Sequence, residues 1–138
     1  MRSDDRLVTP TLLAGANGVM CALFLLFAAV QYNDPDPLPW IAIYAAAAAV
    51  CALWIAGRRR RAGPGAVGLV AAIWAATIIP RVAGQFAWGD VFATVHMQNE
   101  TVELVREALG LSLVGCWMLV LVLSASHRTI PDNRTLHS

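Results

Sequence analysis

Apolar residues fall into four long blocks, at about residues 11–31, 38–56, 66–83 and 102–126, with polar stretches between them. Each block lies within the range of about 17–25 residues that a helix needs to cross the hydrocarbon core of a bilayer. A helix satisfies its own backbone hydrogen bonds, which makes it the natural spanning element in lipid. The pattern therefore predicts an all-α fold, a four-helix transmembrane bundle forming one integral membrane domain over residues 1–138.

The first polar break is the most informative. Gln31-Tyr32-Asn33-Asp34-Pro35-Asp36-Pro37 separates the first two blocks. Pro35 and Pro37 disfavour helical geometry at Asp34 and Asp36, which predicts that the first helix ends near Asn33. Asp36 is placed as the N-cap of the second helix and Pro37 at its first position, where a missing N–H costs nothing. Trp40 is expected at the interface. The run Ala45–Ala49 is expected to let helices approach closely, because packing drives association in lipid.

Gly57 introduces Arg58-Arg59-Arg60-Arg61, and Ala62-Gly63-Pro64-Gly65 reads as loop before the third span. Residues 81–101 form the longest connection, and Phe86, Trp88, Val91, Phe92 and Val95 suit a short amphipathic segment lying along the interface. The first block imitates a signal peptide, but Asp4 and Asp5 beside Arg2 and Arg6, with no small-x-small cleavage site, favour a retained helix. No repeat of fixed period is present.

Composition agrees with the pattern. Charged residues make up 14% of the chain, against about 25% in ordinary soluble domains. A net charge of +1 gives no case for nucleic acid, and the lipid bilayer is the expected partner. All 10 basic residues are arginine. With four spans, Arg2, Arg6, Arg58 to Arg61, Arg128 and Arg134 share one side, while Arg81 and Arg106 lie on the other. The positive-inside rule then predicts both termini cytoplasmic, N-in and C-in, in the cell membrane. The four consecutive arginines also suit anionic headgroups, although their role in setting topology explains them equally well.

This topology gathers the remaining candidate chemistry on the outer face. Asn33, Asp34 and Asp36 lie in the turn, and Glu103, Arg106 and Glu107 open the fourth helix. Glu103, Arg106, Glu107 and Gly110 recur at helical steps and share a face that continues through Val114 and Trp117. Two readings fit the cluster. In one, Arg106 pairs with Glu103, Asp34 or Asp36 and clamps helix four to the first hairpin. In the other, carboxylates in excess of Arg106 leave room for a cation, a small ligand or a partner.

Other chemistry is thin. Cys21, Cys51 and Cys116 sit singly inside apolar blocks and read as small buried hydrophobes. His96-Met97 has no ligand spacing, and no nucleophile–base pair, phosphate loop or HExxH motif is present. No metal site, cofactor or catalytic residue is assigned, and the reading leans away from an enzyme. Asn17, with Gly15 and Gly18 beside it, suits a packing bond between helices.

Asn17-Gly18, Val30-Gln31, Asn33-Asp34-Pro35-Asp36, Trp40, Tyr44, Glu103, Arg106-Glu107 and Gly110-Leu111 together resemble the transmembrane protein 220 family. The NDPD turn between two apolar helices is the most specific part. The resemblance implies a small multi-pass membrane protein whose signature is the acidic turn and the E-x-x-R-E segment, and it implies no particular activity. The functional expectation is a non-enzymatic membrane protein whose outer Asp/Glu/Arg cluster binds a partner, a small ligand or a cation. The alternatives are a structural or assembly subunit, as a homo-oligomer or beside another membrane protein, and less strongly an oligomeric transporter or channel.

Overall fold

In the computed structural model, which describes residues 4–83 and 100–126 (side chains over 10–83 and 103–125), the chain is built from long α-helices. Helix α1 is Asp4–Val30, followed by a 3-10 turn, Gln31–Asn33. Helices α2, Pro37–Ile55, α3, Ala62–Val82, and α4, Glu100–Ser126, follow among the described residues. All four contain segments long and apolar enough to cross a membrane: Pro10–Asn33, Pro37–Ile55, Ala62–Val82 and Glu103–Ala125.

The helix ends follow backbone chemistry rather than the edges of the apolar blocks. Helix α1 starts at Asp4, inside the polar leader, because a helix can continue beyond the hydrocarbon that defines the apolar block. Helix α3 takes in Ala62-Gly63-Pro64-Gly65, which the sequence pattern placed in a loop. Pro64 is its third residue, where a backbone donor has no intrahelical acceptor to lose. Asp36 occupies the N-cap of α2 with Pro37 at N1, but its side chain makes no capping hydrogen bond. The prolines set this turn, not the carboxylate. The proposed interfacial segment between α3 and α4, with Phe86, Trp88, Val91, Phe92 and Val95, lies outside the described residues.

The helices pair as two antiparallel hairpins, α1 with α2 and α3 with α4. In the first, Phe27 lies edge-on to Tyr44 with ring centroids 5.5 Å apart. Further along, the Cys21 thiol reaches the Ala48 carbonyl at 3.5 Å. In the second, a Cβ added at Gly68 would stand 2.9 Å from the Met118 Cβ, so that glycine lets the two backbones close. Large aromatic side chains bridge the wider gap between the hairpins. Trp40 is buried in the bundle and stacks on Trp74 with centroids 4.4 Å apart at 26°, a contact worth about 0.5–1.5 kcal/mol beyond its burial.

The outward surface is apolar. Leu12, Val19, Leu25, Leu69, Ile73 and Leu123 are all more than half exposed. A soluble monomer does not tolerate such a surface, whereas hydrocarbon solvates it. Hydroxyls on these helices are satisfied locally: Ser112 donates to the Ala108 carbonyl and Ser124 to the Val120 carbonyl, each at 2.7 Å, as a lipid environment requires.

Candidate functional site

The acidic end of the bundle is built by the α1–α2 turn and the first turns of α4. The 3-10 turn closes when the Asp34 N–H donates to the Gln31 carbonyl at 3.0 Å. Asp34 then adopts φ −72°, ψ 151°, the extended geometry that a following proline demands. Asp34 is left half-buried, while Asn33 and Asp36 are exposed.

On α4, Glu107 and Gly110 are half-buried, whereas Glu103 and Arg106 are exposed. Glu107 is the centre of the arrangement. It lies within the electrostatic reach of Glu103 on its own helix and of Asp34 on the opposite hairpin. Tyr44, 4% exposed, feels the charge of Glu107. The Tyr44 hydroxyl occupies the space that a Cβ at Gly110 would need, and its Cζ lies 3.2 Å from that point. The structure thus brings Asp34, Glu103 and Glu107 into one electrostatic group and sets Tyr44 beneath it.

Arg106 is exposed, as is Glu103. On the α4 wheel Arg106 lies at the edge of the arc that carries Glu103, Glu107, Gly110, Val114 and Trp117, about 100° from Glu107 but only about 20° from Trp117. Asn33 and Asp36 flank the group from the solvent side of the turn. Among the described residues, no three His, Cys, Asp or Glu side chains converge as a metal ligand set.

Deeper along the same α4 line is a second polar arrangement. Asn17 of α1, 0% exposed, donates through Nδ2 to the Cys51 carbonyl of α2 at 3.0 Å. Its Oδ1 accepts from the Trp117 indole N–H of α4 at 3.1 Å. The partners fix the amide orientation, since an indole only donates and a carbonyl only accepts. The expected interhelical role of Asn17 is realised across three helices. Gly15 and Gly18 have no neighbour within 4 Å of an added Cβ, so close backbone approach plays no part there.

Two features escaped the sequence reading. Tyr44 was recognised only as part of a pattern, and its proximity to Gly110 needs both hairpins in place. The second is a cleft of about 840 Å³ at the opposite end of the bundle, lined by Trp54, Arg58, Arg59 and Arg60 among others.

Four apolar helices, inward-facing aromatic and small residues, and an acidic group at one end define a multi-pass helical membrane protein. The sequence matches the family described as "Transmembrane family 220, helix" over residues 23–123, and the chain belongs to that family. The matched region contains the acidic turn, Tyr44 and the Glu103–Gly110 segment, while Asn17 precedes it. No solved structure matches the chain.

Proposed function

We propose that this chain is a non-enzymatic membrane receptor for a cationic organic group, carried by a small molecule or by a partner protein, which docks at Asp34, Glu103 and Glu107. The observation that carries the reading is the position of Glu107. It is half-buried and within the electrostatic reach of two further carboxylates, Glu103 and Asp34, while Arg106 is exposed. An ammonium or guanidinium group spans such a spread of carboxylates better than a bare metal ion, which wants several oxygens converging on one point. The arginine distribution supports an orientation with both termini in the cytoplasm of a cell-membrane protein, which puts this group on the outer face.

Thermal unfolding of the detergent-purified chain, with a panel of organic cations and metal ions, tests the reading. A ligand at about 100 times its dissociation constant adds about 2.7 kcal/mol of stability by mass action. The expected result is a raised Tm in wild type that is lost in Asp34→Asn/Glu103→Gln. If no cation shifts wild type and the double variant is merely less stable, the group is a helix clamp and the receptor reading is wrong.

One observation favours a second reading, an assembly subunit. Ala42, Ala45, Ala49 and Ala52 of α2 are all exposed, at alternating three- and four-residue steps. A line of small residues facing lipid suits close packing against another helix. Chemical cross-linking in liposomes decides it: a dimer ladder that Ala49→Leu abolishes supports assembly, and monomer alone removes it.

A further inference from the structure

The cleft at the other end of the bundle is formed where α2 stops and α3 begins. Helix α2 ends in a Schellman motif: Gly57 has φ +87°, the Gly57 N–H donates to the Trp54 carbonyl at 3.1 Å, and the Arg58 N–H donates to the Leu53 carbonyl at 2.9 Å. Only glycine adopts that backbone cheaply. The motif turns the chain back over the end of α2 and delivers the arginines to the mouth of a cleft of about 840 Å³. One wall is apolar, made of Val50, Leu53 and Trp54, and the rim is Arg58, Arg59 and Arg60. Arg59 is held over the Trp54 ring, 5.6 Å from its centroid. Leu53 is 46% exposed.

Charge, polarity and size agree on one occupant. A guanidinium matches phosphate oxygens in a fixed fork, and here three arginines line a cavity within the size range of small-molecule sites. Free phosphate would leave the apolar wall unused, whereas an acyl chain would cover it. We propose that this cleft is a binding site for an anionic phospholipid, its headgroup phosphate held by Arg58 and Arg60 and its first acyl carbons laid along Leu53. The site lies at the end of the bundle opposite the acidic group, so it stands or falls independently of the cation-receptor reading. The arginine run is then a recognition element as well as a topology signal.

The test uses the full chain in detergent, with lipid retention measured by native mass spectrometry against added phosphatidylglycerol, phosphatidylcholine or inorganic phosphate. Wild type is expected to retain phosphatidylglycerol at about tenfold or more lower concentration than phosphatidylcholine. Arg58→Gln/Arg60→Gln is expected to lose that preference, and Arg81→Gln/Arg106→Gln, which removes equal charge from the opposite end, to keep it. Should the first variant fail to accumulate, wild type decides through phenylglyoxal labelling. Phosphatidylglycerol, but not phosphatidylcholine, is expected to slow modification of Arg58 and Arg60. Equal loss in both double variants, no preference between the lipids, or protection by inorganic phosphate as strong as by phosphatidylglycerol would overturn the proposal.

Discussion

Replacing Asn17 by leucine fills the same volume with a side chain that bonds to nothing, and it should be the most damaging conservative change in the bundle interior. Two interhelical hydrogen bonds are removed, to the Cys51 carbonyl and from the Trp117 indole. Such bonds average about 0.6 kcal/mol in a membrane protein and reach about 1.7, so the pair contributes about 1–3 kcal/mol. The partners left behind differ. The Cys51 carbonyl keeps its acceptor role within α2, whereas the Trp117 N–H is left with only the Cys51 sulfur, a weak acceptor, at a cost of about 1–3 kcal/mol. The combined loss is about 2–4 kcal/mol, since these contributions overlap. Reversible unfolding in mixed detergent micelles, followed by far-UV circular dichroism, measures it. The geometry also demands coupling: in a Trp117→Phe background, where no indole N–H remains to be orphaned, Asn17→Leu should cost about 1 kcal/mol less. A loss below about 0.5 kcal/mol in Asn17→Leu, or strict additivity in the cycle, would refute the reasoning.

Four further outcomes follow from the surroundings of individual glycines. Gly110→Ala drives a Cβ into the Tyr44 hydroxyl, and overpacking of this kind costs about 1–3 kcal/mol; Tyr44→Phe in the same chain should recover much of the lost Tm. Gly68→Ala should also lower Tm, because the Met118 Cβ at 2.9 Å belongs to the root of a side chain and cannot swing away. Gly15→Ala meets nothing within 4 Å and should leave Tm unchanged or raise it, by up to about 1 kcal/mol of helix propensity. Gly57→Ala puts a Cβ at φ +87°, with an expected loss of about 1–2 kcal/mol, read in the same unfolding assay.

The α4 face shows where one-dimensional reasoning stops. Placing Glu103, Arg106, Glu107 and Gly110 on one helix face is right to within a turn, and the line through Val114 and Trp117 does face the first hairpin. A face, however, is an arc. Which residues at its edge turn inward depends on how α4 is rotated against the first hairpin, and the Tyr44–Gly110 and Asn17–Trp117 contacts act on that rotation. Trp40 follows the same logic. Its place near the end of the apolar block suits an interfacial depth, but only the fold supplies Trp74 on a neighbouring helix as its stacking partner.

What the sequence alone determined was the four spans seen among the described residues and the turn between the first two. Four apolar blocks of spanning length leave the backbone no alternative in lipid, and Pro35 and Pro37 stop one helix and start the next whatever lies around them. These are local effects, so they are legible in a string of residues. The tertiary structure decided which polar groups meet: Asn17 with Cys51 and Trp117, Tyr44 with Gly110, and Glu107 with Asp34. It also decided that the arginine run closes a cleft. Each of these joins residues far apart in the chain through side-chain packing, and in a bundle surrounded by hydrocarbon that packing, not the hydrophobic pattern, selects which faces touch.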